Sequence, residues 1–291
     1  MASQPLAGFE LLETRALLSA AVVNGVLVIE GTSGSDGIFV NTRDGGVTLR
    51  VVVNGERSYF TAANVASIAI YGYRGQDDLE VSNTIAIDAV ITGDKGNDTI
   101  LGGAGNDFLY GNTGDDSILG GDGNDRMLGL AGFDDLFGEN GDDTILGGTG
   151  DDLIYGDAGN DDLNGQEDDD RILGGLDQDV ILGGSGNDDL FGENGNDTID
   201  GEGGKDDLNG GRGDDDLFGS ADADYIIGGV GDDVLDGGTN DDTLIDHDGA
   251  DSLYGADGND TLDAFDDDFD DRVLPGPGHD HVFADAGDDV A

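Results

Sequence analysis

A nine-residue period runs through this chain without insertion or deletion from Gly93 to Asp263, giving 19 copies. It opens as GDKGNDTIL, GGAGNDFLY, GNTGDDSIL and GGDGNDRML. Position six is Asp in all 19 copies, and position eight is aliphatic in all 19, from Ile100 to Leu262. Position one is Gly in 18, with Asp246 the exception. Position four is Gly in 15, with Asp168, Asp177, Asp222 and Asn240 the exceptions. A strict short period restricts a chain to stacked units, each burying its apolar residue against its neighbours. Gly at one and four is expected to supply backbone angles closed to other residues, so that six residues make a tight turn. Positions seven to nine are expected to form a very short strand with position eight facing inward. Two copies then make an 18-residue coil with a strand on each side. Stacked coils bring like positions together at the strand spacing, about 4.8 Å.

The same period organises the charge. The chain carries 66 acidic residues against 11 basic ones, a net −55, and −50 of it falls in residues 93–291. Asp supplies 57 of the acids and Glu 9. With 55 Gly, such a composition ordinarily means disorder. In phase, however, position six builds a carboxylate ladder along each edge of the stack. Like charges a strand spacing apart repel strongly at low effective dielectric. A divalent cation between the turns is therefore required. Carboxylate and backbone carbonyl oxygens in flexible turns favour calcium over magnesium or zinc. The charge also excludes nucleic acid and anionic membrane as partners. The absence of Cys excludes a disulfide scaffold, a Cys-ligated zinc site and a thiol nucleophile.

Residues 93–263 resemble the repeats-in-toxin, or hemolysin-type, calcium-binding nonapeptide G-G-x-G-x-D followed by x, aliphatic, x. The resemblance implies an all-β fold, a right-handed parallel β-roll with calcium between successive coils. It carries the ligand role onto the position-six residues: Asp98, Asp107, Asp116, Asp125, Asp134, Asp143, Asp152, Asp161, Asp170, Asp179, Asp188, Asp197, Asp206, Asp215, Asp224, Asp233, Asp242, Asp251 and Asp260. Sites shared between neighbouring turns on each edge give room for up to about 17 Ca²⁺. That number would cut the −50 of residues 93–291 to about −16. Asp168 and Asp177 at position four put a Cβ into a strained turn and mark altered sites. Asn240 enters the left-handed region more readily.

The flanks divide in three. Residues 21–92 read as a β-rich cap covering the end of the roll, or else as a small binding module. Val22–Glu30, Val47–Val53 and Ala66–Tyr71 are apolar branched runs. Asn54-Gly55 marks a hairpin, and Thr84–Thr92 is a strand-like run into the array. Gly31–Phe39 and Gly72–Glu80 keep the repeat spacing once each. Residues 264–291 are degenerate repeats forming a C-terminal cap, with Asp271, Asp280 and Asp289 in phase after two extra residues. Residues 1–20 make a poor secretory signal, because Glu10 and Glu13 precede an apolar run of only about eight residues. They are too short to span a membrane. Leu12, Glu13, Arg15, Leu17 and Leu18 resemble the L-E-P-R-x-L-L segment near the start of bacterial surface and secreted proteins, with Thr14 in place of Pro. That resemblance implies export or surface sorting, a targeting segment followed by an extracellular location.

No H-E-x-x-H and no G-x-S-x-G occurs. His247, His279 and His281 are the only histidines. His279-Asp280-His281 reads as a surface turn or a transition-metal site. The aromatic residues at position nine, such as Tyr110, Phe137 and Tyr155, read as packing. The expectation is a calcium-binding, non-enzymatic structural protein that folds on binding the ion. The alternatives are an accessory module of a type I-secreted hydrolase or toxin, and an adhesin using residues 21–92. The acidic, repeat-like 28 residues after the array argue against the type I route.

Overall fold

The computed structural model describes residues 19–265, 271–285 and 287–291. The sorting segment read from Leu12 to Leu18 lies outside them. Among the described residues there is no α-helix, and two 15-stranded sheets face each other across a single aliphatic core. Successive strands alternate between the sheets, so sheet neighbours are 18 residues apart. Phe108–Thr113 pairs in parallel with Arg126–Ala131, and Ser117–Asp122 with Asp135–Asn140. The chain is thus an all-β parallel solenoid, a β-roll.

The alternation of a strand explains the core. Positions six, eight and one point inward, while seven and nine point outward. Every position-eight residue from Ile100 to Leu262 is fully buried, at 1% exposure or less. Each coil therefore contributes two aliphatic side chains, one from each sheet. At roughly 25 cal/mol per Å² that is a thin apolar driving force per coil, and neighbouring coils must supply the rest.

Strands in most of the roll are longer than the three residues expected. They run from position seven through position three of the next copy, as in Arg171–Leu176. Position one drops out of the ladder, and pairing resumes at position two: Tyr110 faces Leu128, then Asn112 faces Leu130. Position two takes up the bend with a left-handed backbone, φ 80° at Asn112, 83° at Leu130 and 87° at Gln166. From residue 216 onward most strands shrink to positions seven to nine, as in Asp216–Phe218 and Thr243–Ile245. There position three survives in the ladder at Val230 and otherwise as isolated bridges through Ala221, Thr239 and Asp257.

At the N-terminal end, Gly37–Arg43, Thr48–Val53 and Glu56–Thr61 form an antiparallel meander on one sheet. Asn54 and Gly55 adopt φ 48° and 85° in its hairpin turn. The Val22–Glu30 run is not one strand. Asn24 and Gly25, at φ 52° and 86°, fold it into a second hairpin, Ser19–Val23 against Val26–Glu30. Here an Asn-Gly turn overrides a run of strand-forming residues. Thr84–Thr92 is likewise shortened. The strand begins at Ala89, while Ile85 is buried in the preceding turn. Parallel pairing starts ahead of Gly93: Val26–Glu30 pairs with Ser67–Arg74, and Ser67–Arg74 with Ala89–Lys95. After Asp263 the two extra residues lengthen one coil to a 20-residue offset, and Arg272–Leu274 rejoins the sheet beside Ser252–Tyr254.

Candidate metal centre

The inward alternation puts position six on the same side as the aliphatic core. All nineteen sequence-selected Asp residues are buried, none more than 3% exposed. They form two ladders. On one edge the Asp98 N–H donates to Asp116 Oδ1 at 2.7 Å, and the Asp116 N–H to Asp134 Oδ1 at 2.7 Å. On the other the Asp107 N–H donates to Asp125 Oδ1 and the Asp125 N–H to Asp143 Oδ1, both at 2.7 Å. One carboxylate oxygen of each residue is satisfied by the backbone of the preceding coil. The other, Oδ2, is buried without a hydrogen-bond partner in all nineteen. A buried unpaired carboxylate oxygen is costly, so nineteen aligned ones call for a counter-charge.

Position one shows where that charge would fit. A methyl built on Gly102 would lie 2.6 Å from Asp107 Oδ2 and 2.6 Å from the carbonyl oxygen of Gly120, one coil on. Gly102 itself does not need a positive φ. The sequence expectation for this position is therefore corrected. Gly at one is required for space between a carboxylate and a carbonyl, whereas the backbone freedom is used at positions two and four. Position four takes positive φ in most copies, including all four that are not Gly: φ is 78° at Asp168, 74° at Asp177, 78° at Asp222 and 85° at Asn240. The donors around the space are hard oxygens on turns, the set that suits calcium.

Burial pushes these carboxyls up, opposed by the donated backbone N–H and reinforced by neighbouring carboxylates. Asp98 and Asp116 rise to about 6, Asp107 and Asp134 to about 7, and Asp143, Asp170 and Asp179 to about 8. Without a cation, protonation is the remaining way to relieve the ladder.

The ladder extends into both flanks. The Asp77 N–H donates to Asp98 Oδ1 at 2.8 Å, and Asp77 Oδ2 is also buried and unpartnered. The Asp36 N–H donates to Asp77 Oδ1, but Asp36 differs: Thr32 N–H and Oγ1 bind its Oδ2, and Asn54 Nδ2 binds its Oδ1. Asp271 accepts from the Asp251 N–H at 2.8 Å and Asp280 from the Asp260 N–H at 3.1 Å. His279 and His281 flank that last turn through backbone hydrogen bonds, which absorbs them into the repeat. Phe137 and Tyr155, in adjacent coils on an outer face, stack at 5.1 Å, as packing requires.

Two features were not anticipated. A second ladder runs along position five, on the exposed side: Asn124 Oδ1 accepts from the Asp142 N–H, and Asp142 Oδ1 from the Asn160 N–H. The Asn and Asp recurring at that position were its sequence signal. Asp246, the position-one exception, is buried, and its carboxylate lies beside that of Asp233, with oxygens within 4.8 Å. Burial first, then Asp251 and Asp233, push its carboxyl up.

The sequence pattern of the RTX calcium-binding nonapeptide repeat (four copies) matches the chain in overlapping stretches from 88–118 to 236–264, and again over 265–291. No curated protein matches the chain.

Proposed function

Because this chain belongs to the RTX calcium-binding nonapeptide repeat family, and so binds calcium through its repeats, we propose that the position-six Asp ladders are the ligands. We propose further that the protein is a secreted or surface structural element whose roll forms on binding the ion. The observation that carries this is the run of nineteen buried Asp Oδ2 atoms without a partner. When bound, calcium supplies the positive charge that those oxygens lack. The chain does the rest. Position-six backbone N–H groups hold each carboxylate by its Oδ1, so Oδ2 faces the space left by glycine at position one. Position-eight side chains close the core once neighbouring coils meet.

Ligand binding to the folded state alone adds to its stability by mass action. Because each coil contacts only its neighbours, folding is expected to be cooperative in calcium. Extracellular calcium modules bind at roughly 10⁻⁴–10⁻³ M, which would leave the array open at cytosolic calcium and formed outside. Among the described residues no helix is long and apolar enough to cross a membrane. The role proposed is a non-enzymatic spacer, matrix element or calcium sink. Far-UV circular dichroism during a calcium titration tests the folding part. A spectrum indifferent to calcium from micromolar to about 10 mM, well above the module range, would sink it. Fractionation of the producing cell tests the location.

A further inference from the structure

The inward face of the array departs from its pattern at one side chain. Position one is Gly in 18 copies and Asp246 in the other. At the regular rung around Gly210, Asp215 Oδ2 and the Gly228 carbonyl oxygen border the space where a Cβ would stand. One coil later, around Gly228, the Asp246 carboxylate takes the place of that carbonyl, beside Asp233 Oδ2. Backbone N–H groups of Gly229 and His247 donate to Asp246 Oδ1 at 3.3 and 2.9 Å. That leaves its Oδ2 turned to the ladder.

Carboxylate oxygens of Asp233, Asp246 and Asp251 lie within 4.8 Å of one another. Among the described residues this is the one group of three or more His, Asp or Glu so placed. The three residues are 1%, 2% and 1% exposed, and their Oδ2 atoms have no hydrogen-bond partner outside the trio. An oxygen-to-oxygen span of that size is what ligands at about 2.3–2.6 Å from one ion produce.

We propose that Asp233, Asp246 and Asp251 form a distinct cation site of three carboxylates, which holds a divalent or trivalent ion more tightly than the regular rungs. It rests on the ladder reading above, and adds to it a ligand that the repeat pattern does not contain. A regular rung presents a carboxylate oxygen opposite a neutral carbonyl. Replacing that carbonyl by Asp246 adds a formal negative charge at the same place. Calcium affinity rises with the charge of the ligand set and the rigidity of the site, and Asp246 is fixed by two backbone donors. A trivalent lanthanide, with oxygen preferences like those of calcium, gains more from the added charge than calcium does.

The test uses the full chain, loaded with calcium and then equilibrated against chelator-buffered solutions of falling free calcium. Bound metal is counted by elemental analysis, and terbium luminescence is followed in parallel. Asp246→Gly restores the residue used in the other 18 copies, so it should fold, and Asp246→Asn keeps the shape while removing the charge. The wild type should retain one ion per chain at free calcium about tenfold below that which empties the rest. Both variants should lose that ion while keeping the calcium-saturated circular dichroism spectrum. Retention of the same tight ion by Asp246→Gly would overturn the proposal. So would one additional ion in Asp246→Gly at saturation, since Asp246 would then be plugging its rung. If neither wild type nor variants bind calcium along the array, the ladder reading itself fails, a result separable from the other two.

Discussion

Asp36 in the N-terminal meander and Asp143 in the middle of the array occupy the same position of the nonapeptide, and both are buried. What answers their charge differs. Asp36 is closed by Thr32 and by Asn54, a residue that also makes the hairpin turn. Asp143 receives one backbone N–H, from Asp125, and its Oδ2 borders the space at Gly138 without a hydrogen-bond partner. The cap also has wider strands, with Leu49, Val51 and Val53 buried on one face of a single strand, whereas each array strand buries one aliphatic residue. Asp36 is satisfied within the cap, whereas Asp143, like Asp77 where the cap meets the roll, keeps a buried oxygen without a partner. On the proposed reading, then, calcium dependence follows from whether the carboxylate is closed by the chain itself, and the fold alone does not set it.

The sharpest way to break this comparison is to remove calcium and watch both regions in one chain. Hydrogen exchange read by mass spectrometry should show the amides of residues 93–263 losing nearly all protection in excess chelator, with Val26–Val81 retaining a substantial part. Equal loss in both regions would mean that the cap has no stability of its own and that the contrast is only local.

Acid should imitate calcium in the array. Asp116, Asp107 and Asp143 stand at about 6, 7 and 8 in the folded, ion-free chain, against an ordinary value of 3.8, and the other ladder carboxyls are raised with them. A folded pKa above the unfolded one means that the folded state binds more protons between the two. Its stability is then fullest below about pH 4 and falls as pH rises through 6 to 8. An ion-free chain titrated from pH 8 to pH 5 should gain β signal, and the calcium midpoint should move to higher concentration over the same range as protons compete for the oxygens. A calcium midpoint independent of pH would contradict ladder ligation.

Substituting position-one glycine should cost more in the array than a cavity does. Gly120→Ala places a methyl against Asp125 Oδ2 and 2.9 Å from the Gly138 carbonyl oxygen, so it displaces the ligand and its neighbour together. We expect loss of calcium-dependent structure in the adjoining coils. Ile172→Ala, which only empties part of the core, should cost about 2–5 kcal/mol and leave the calcium count unchanged.

Much of this was legible because it repeats. An Asp at position six and an aliphatic residue at position eight, two apart, must share the inner face of a strand, and nineteen copies leave no ambiguity about which face. What was hidden lies where chemistry and geometry part company. Position two holds Asn112, Leu130, Glu139 and Gln166, which share no side-chain property, yet all adopt positive φ. The coil demands that bend, and no residue type advertises it. Position one reads as a conformational glycine because glycine has two uses, and only the folded backbone distinguishes space from angle. Asp246 looked like a blemish in the period. Its meaning depends on Asp233, 13 residues earlier, coming alongside in the preceding coil.

The smallest expected effect separates two adjacent aspartates. Asp142 and Asp143 are neighbours in sequence and each joins a ladder with an 18-residue step. Asp142 is exposed, and its Oδ1 accepts from Asn160 N at 3.1 Å. Water can replace that acceptor when the side chain is removed, so Asp142→Ala should cost under about 1 kcal/mol and leave calcium binding intact. Asp143→Ala takes out a buried ligand and leaves the Asp125 N–H without its acceptor. It should remove calcium from the rungs that share Asp143 and split the cooperative transition around it. Calorimetric calcium titrations of the two variants, side by side, make the comparison. Equal losses would mean that total acidity attracts the ion. A loss confined to Asp143→Ala would mean that burial makes the ligand, because only a carboxylate that water cannot reach needs the ion in its place.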